Sequence, residues 1–153
     1  MKGEHLDQTS GITELNRKNA RQMLGEFCSY LSEKNPKYNW VGIYVLKSNK
    51  LILENYVGKP TVHEEINIGE GLCSQAIVQN RIVNEPDVNS NSQYLACSLE
   101  TRSEVVVPVR YKGIPVGEID IDSDTKGAFT KGDEEFLSTL SELIAYYVKI
   151  LSD

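Results

Sequence analysis

The run Val116-Gly117-Glu118-Ile119-Asp120-Ile121-Asp122 alternates acid and aliphatic side chains with a period of two. A β-strand turns successive side chains to opposite faces, so Glu118, Asp120 and Asp122 share one face while Ile119 and Ile121 share the other. The isoleucines are expected on a core. Like charges crowded on one strand face repel, and burial would raise the pKa of at least one carboxyl. Such a face suits a cationic ligand, a proton donor or a metal, or it is a solvated sheet edge. Whether Glu104 joins it depends on hairpin register. A two-residue turn at Lys112-Gly113 pairs Tyr111 with Ile114 and hence Val105 with Asp120, turning Glu104 away, whereas a three-residue loop or one bulge turns it back. The Pro115 in this hairpin makes an irregularity credible.

The rest of the chain frames this hairpin. From Gly11 to about Lys34, Ile12, Leu15, Met23, Phe27 and Leu31 recur at near-helical spacing, and Asn35-Pro36 stops the helix they imply. Cys28 lies on or beside that stripe and is expected to be a small core residue. Asn39–Leu46 and Lys50–Val57 are strands joined by the turn Lys47-Ser48-Asn49-Lys50. In the first of them Val41, Ile43 and Val45 suit a helical layer, while Gly42 between Trp40 and Tyr44 leaves room for a ligand. A short strand near 64–68 leads to Gly69-Glu70-Gly71, whose glycines permit a sharp turn into a helix. Cys73 is expected in the first turn of that helix, where the dipole favours a thiolate. This Gly-x-Gly lacks the rest of a nucleotide-binding fingerprint. A strand near 81–85 is followed by Pro86–Ala96, a polar connection of the kind that forms lids or ligand walls, and Cys97 closes it. Thr130-Lys131-Gly132-Asp133 is an acidic variant of a capping box. The helix it opens carries one broad apolar stripe, Phe136, Leu137, Leu140, Leu143, Ile144, Tyr147, Val148 and Leu151.

Together these elements predict a single domain over 1–153 of α+β class. Its sheet should be mostly antiparallel with five or six strands, and the N- and C-terminal helices should pack on one face. Their outer faces could form a homodimer seam. The composition, 40% hydrophobic and 25% charged with a net charge of −6, argues against a nucleic-acid partner, since phosphate affinity needs clustered Lys and Arg. No apolar segment approaches the roughly 20 residues needed to span a bilayer, and the start lacks the apolar stretch of a signal peptide. A cytoplasmic protein with no membrane partner is expected. Three cysteines without a CxxC pair, and only two histidines, speak against a disulfide scaffold and a structural zinc site. No metal or cofactor is called for. Cys73 and Cys97 permit, without requiring, a nucleophile and resolving pair.

The blocks NWVGIY, VGKP, GEGLCSQA, EPDV, YLACSLETRSEVVVP and GEIDIDS, in this order and spacing, resemble the free methionine-R-sulfoxide reductases, enzymes built on one GAF-like domain. The resemblance spans about Asn39 to Ser123. It implies that Cys97, in the alanine-cysteine motif, is the catalytic nucleophile and that Cys73 lies in the same pocket as a resolving thiol. It further implies that Glu104, Asp120 and Asp122 bind the substrate beside an aromatic wall of Trp40 and Tyr44. Tyr94 stands where the family usually has histidine. The usual resolving cysteine shortly after the Gly-Lys pair is missing, because Gly58-Lys59-Pro60-Thr61-Val62-His63 contains none.

The reaction so implied is reduction of free methionine-R-sulfoxide through a sulfenic acid on Cys97, assisted by a protonated Glu104 or Asp120. Disulfide exchange with a thioredoxin-like reductant would follow. The alternative is a non-enzymatic GAF module that binds a small ligand or senses redox state through Cys97. Fold alone does not separate the two.

Overall fold

The computed structural model describes residues 2–92, 94–95 and 99–152, with side chains from Gly11 onward. Helix α1 (Lys2–Lys34) leads into strands β1 (Trp40–Lys47), β2 (Lys50–Val57) and β3 (Glu65–Asn67), then helix α2 (Gly71–Gln79) and strand β4 (Val83–Glu85). A single 3-10 turn, Val88–Ser90, interrupts the polar connection before β5 (Ser103–Tyr111), β6 (Ile114–Ser123) and helix α3 (Lys131–Leu151). The six strands form one sheet in the order β3-β2-β1-β6-β5-β4, with every pairing antiparallel. This is the expected α+β arrangement at the upper of the two strand counts.

Alternation along the central strands divides the molecule into two layers. Val41, Ile43 and Val45 of β1, Ile119 and Ile121 of β6, and Val105, Val107 and Val109 of β5 are buried against α1 and α3. The terminal helices therefore pack together on one face, as the sequence predicts. From α3 the buried contributions include Leu137, Ile144, Val148 and Leu151. Each such side chain contributes roughly 1.5–3 kcal/mol on burial. The opposite face is covered by α2, whose Leu72, Cys73 and Ala76 pack with Trp40, Tyr44, Leu51, Ile66 and Val106 in a second, smaller cluster.

The first helix departs from expectation twice. It starts at Lys2 rather than near Gly11, and the stripe it buries is Ala20, Leu24, Cys28 and Leu31, with Phe27 only partly covered. Ile12, Leu15 and Met23 are exposed. Spacings of four, four and three residues keep the buried set on one line of the helix, whereas Met23 is rotated about 100° from Leu24. Ile12 and Leu15 precede Ala20, the first buried residue among those described. Cys28 is the core residue anticipated. Burial pushes its thiol up to about 12.

Two turns set the registers. Ser48 and Asn49 have φ of 48° and 63°, closing β1 on β2 with Lys47 opposite Lys50. Lys112 and Gly113, at 51° and 81°, close β5 on β6 with Tyr111 opposite Ile114. Consecutive positive φ values are those of the hairpin turn whose twist matches the strands. At the far end of the sheet, Thr130 accepts from the Asp133 amide and Asp133 caps Thr130 in return, which confirms the acidic capping box at the start of α3.

Candidate active site

The register of the second hairpin settles where Glu104 points. The turn has two residues, which alone would bury Glu104 on the wrong face, but the ladder shifts between Val109 and Arg110. Val109 pairs with Gly117 while Arg110 pairs with Pro115, so Val116 is the extra residue of a bulge. Beyond it Glu104 stands opposite Asp122, Val106 opposite Asp120 and Pro108 opposite Glu118. On the other flank of β6, Trp40, Gly42 and Tyr44 pair with Asp122, Asp120 and Glu118. One sheet face thus carries four acids, two aromatics and a glycine, and α2 lies across it.

All four acids are buried: Glu104, Glu118, Asp120 and Asp122 are 3%, 0%, 1% and 2% exposed. These values rule out the solvated edge. Neither oxygen of Glu118, and not Oδ1 of Asp120, has a hydrogen-bond partner among the described residues. Desolvation penalises the charged form of each. Burial, then the charge of Asp120, holds the Glu118 carboxyl well above the ordinary range. Burial and then Asp122 do the same to Asp120, partly offset by Cys73 and Glu104 nearby. Asp122 is pushed up to about 6, chiefly by burial. Burial thus favours the protonated form of each of these acids over that of an exposed carboxyl.

Cys73 is delivered by the Gly-x-Gly turn. Gly69 and Gly71 have φ of 109° and 75°, and they turn the chain from β3 into α2. Cys73 follows in the first helical turn, as expected, but it is not a favoured thiolate. Its thiol is held well above its ordinary pKa by burial first, then by Asp120, Glu118 and Glu104. A nine-residue helix contributes only a fraction of a charge at its end. Desolvation beside three carboxyls outweighs that attraction. The thiol points at Glu104, with Sγ 4.0 Å from Oε1, and the sulfur, Glu104 and Asp120 present atoms within 4.8 Å of one another.

The aromatic wall is present but arranged differently from expectation. Trp40 lies flat across Gly42, so a Cβ on that glycine would collide with the indole. Gly42 therefore makes room for Trp40 itself, not for a ligand. The indole stacks on Tyr56 at 5.7 Å and donates from Nε1 to the Lys59 carbonyl at 3.0 Å. Tyr44 is fully buried and its hydroxyl donates to the His63 carbonyl at 2.6 Å. Both aromatics thus hold the connection that carries Lys59 and His63 over the acidic face.

Two cavities open there. A pocket of about 160 Å³ is lined by Asn39, Trp40, Lys59, Glu100, Thr101, Asp122 and Asp124, with Lys59 and Glu100 forming an ion pair at its rim. A smaller cavity of about 10 Å³, close to one water's worth, is lined by His63, Ile66, Gly71, Leu72, Cys73, Leu95, Glu104 and Asp120. Cys97 lies outside the described residues. Its described neighbours in sequence reach both cavities: Leu95 lines the small one and Glu100 the larger. Glu118 was legible on the acidic face from alternation alone, yet nothing in its residue type marked it as the most deeply buried of the four. For His63, Asn39 and Glu100 the sequence holds no signal, since loops bring them in.

The sheet, its covering helices and the acidic face define a GAF domain. The pattern of the GAF domain family matches residues 18–148, and the chain belongs to that family. It is 31% identical to the free methionine-R-sulfoxide reductase of Escherichia coli (strain K12), over 96% of this chain and 92% of that one. The solved type II free methionine-R-sulfoxide reductase from Thermoplasma acidophilum shares 58% identity and superposes with a TM-score of 0.86, covering 87% of this chain and 94% of its own. The enzyme from Neisseria meningitidis, solved in complex with its substrate, shares 28% identity with a TM-score of 0.80, covering 86% and 78%. Within the GAF fold, the chain belongs to the free methionine-R-sulfoxide reductases.

Proposed function

We propose that this protein reduces free methionine-R-sulfoxide to methionine, with Cys97 as nucleophile and Cys73 as resolving thiol, the whole chain acting as one GAF-like unit. The observation that carries the reading is the face where Glu104, Asp120 and Asp122 are buried together, with Cys73 against the first two. No Lys or Arg is among the residues lining the Cys73 cavity. A free amino acid brings an ammonium to such a face. A methionine within a peptide has none, so the same charge selects the free substrate.

In the first step the Cys97 thiolate attacks the sulfoxide sulfur while Asp120, whose protonated form burial favours, hydrogen-bonds the sulfoxide oxygen and protonates it. The oxygen passes to Cys97 as a sulfenic acid and methionine leaves as the thioether, so the two electrons lost by the thiol are those gained by the sulfoxide. Cys73 then condenses with the sulfenic acid. The S–O bond breaks, the S–S bond forms, and the thiol proton leaves with the hydroxyl as water. A thioredoxin-like dithiol in a reducing cytoplasm regenerates both thiols by exchange. With Thr61 and Val62 following the Gly-Lys-Pro run, Cys73 is the cysteine of this chain left for that role once Cys28 is set in the opposite core.

The test supplies free methionine-R-sulfoxide with thioredoxin, thioredoxin reductase and NADPH and measures methionine. Wild type turns over continuously. Cys97→Ser forms no methionine, and Cys73→Ser releases about one methionine per chain before stalling with its sulfenic acid open to dimedone. Full turnover by Cys97→Ser removes the proposed nucleophile, and sustained thioredoxin-driven turnover by Cys73→Ser removes the resolver.

A further inference from the structure

The acidic face carries more negative capacity than one ammonium can neutralise. Four carboxyls are at most 3% exposed, and the cavity that Glu104 and Asp120 line with Cys73 includes neither Lys nor Arg. Buried charge is tolerated when it is paired, protonated or bound to metal. Two observations favour a metal in addition to protons. The Cys73 sulfur and carboxylate oxygens of Glu104 and Asp120 converge within 4.8 Å of one another. Independently, Glu118 is fully buried on the same strand face with both oxygens lacking a hydrogen-bond partner among the described residues. Alternation along β6 sets it on the same face as Asp120, one step along that face, so a fourth buried acid stands next to the converging donors.

We infer that Cys73, Glu104 and Asp120 form a site for a single divalent cation of the zinc class when Cys73 is reduced, with Glu118 next to them on the same strand face.

The donor set decides the class. Hard cations such as calcium and magnesium take six or more oxygens, including carbonyls and waters. One thiolate with two carboxylates is a borderline-soft set that suits zinc or cobalt, bound at about 2.0–2.3 Å. The three donor atoms already lie within 4.8 Å of one another, around a cavity of about one water's volume. Metal also reverses the local logic of the thiol. Carboxylates that now hold Cys73 protonated become co-ligands of a dication that releases the proton. Disulfide formation by Cys73 would remove one ligand, so the site exists only in the reduced protein.

The site stands on these residues and not on the reductase reading, and its test uses no turnover. Cobalt(II) is titrated into the full chain, reduced with a phosphine that is then removed. The expected result is a sulfur-to-cobalt charge-transfer band in the near ultraviolet that saturates at one cobalt per chain and is displaced by zinc. The band persists in Cys28→Ser and Cys97→Ser and disappears in Cys73→Ser. Zinc affinity measured by calorimetry falls roughly tenfold or more in Glu104→Gln and in Asp120→Asn, with circular dichroism confirming that each variant is folded. Absence of the band in wild type, its survival in Cys73→Ser, or zinc affinity unchanged in both folded carboxamide variants overturns the site.

Discussion

Glu118 shows how far a single residue can depart from what its type suggests. Glutamate is almost never fully buried without a partner, yet here it is 0% exposed, with Tyr44 and Pro108 as its cross-strand neighbours. Alternation placed it on the acidic face, but its depth depends on α2 closing over that face, which no local pattern encodes. Cys73 makes the same point. Its place in the first turn of α2 was legible, while its protonation was not, because three carboxyls reach it from β5 and β6. An orphaned buried carboxyl costs about 1–3 kcal/mol relative to an apolar group of similar volume. Glu118→Met, which keeps length and flexibility, is therefore expected to stabilise the protein by about 1–3 kcal/mol in urea denaturation at pH 7. Loss of stability would mean that the carboxyl has a partner whose removal costs more than desolvation returns.

Among the elements, those with strong local rules are the ones the sequence foretold. The turns at Ser48-Asn49 and Lys112-Gly113, the Asn35-Pro36 stop and the Thr130 capping box each follow from a few adjacent residues. The bulge at Val116 does not, since a bulge is fixed by pairing across the whole ladder, and the sequence left Glu104 open between two faces. The cap at α3 also ties distant parts together. Asp133 receives the Tyr38 hydroxyl at 2.7 Å as well as the Thr130 amide. Burial alone would raise its pKa, but the hydrogen bonds from Tyr38 and Thr130 prevail and lower it. A carboxylate whose folded pKa lies below its unfolded value adds stability that is present above the unfolded pKa and lost as pH falls through the folded one. Asp133→Ala is thus expected to lose about 1 kcal/mol at pH 6 to 7. The deficit should shrink once the pH drops below the ordinary aspartate range of about 4, as followed by denaturant midpoints at stepped pH. A deficit independent of pH would assign the loss to the Tyr38 contact rather than to the charge.

Across the whole molecule, the layered plan and the antiparallel sheet were legible because strand periodicity and two flanking amphipathic helices leave few arrangements open. What failed was the inner edge of α1. An isolated helix shows several apolar lines, and which of them is buried depends on where the sheet and α3 meet it. The chosen line is Ala20, Leu24, Cys28 and Leu31, two of them residues too small to dominate a hydrophobic pattern. The half of α1 before Ala20 follows a different rule. Residues 11–19 are all exposed, and at 1.5 Å per residue the helix from Lys2 to Ala20 runs on for about 27 Å. Residues 11–19 contribute little packing on the body, and exposed substitutions of this kind change stability by less than about 0.5 kcal/mol. Removing residues 2–16 is expected to leave the thermal midpoint within about 2 °C of the full chain and the methionine-forming rate unchanged, since Ala20 and every described site residue remain. Calorimetry at several protein concentrations checks this. A midpoint that falls after truncation, and depends on concentration only in the full chain, would show that Ile12 and Leu15 are covered by a second copy in solution, because assembly makes stability rise with protomer concentration.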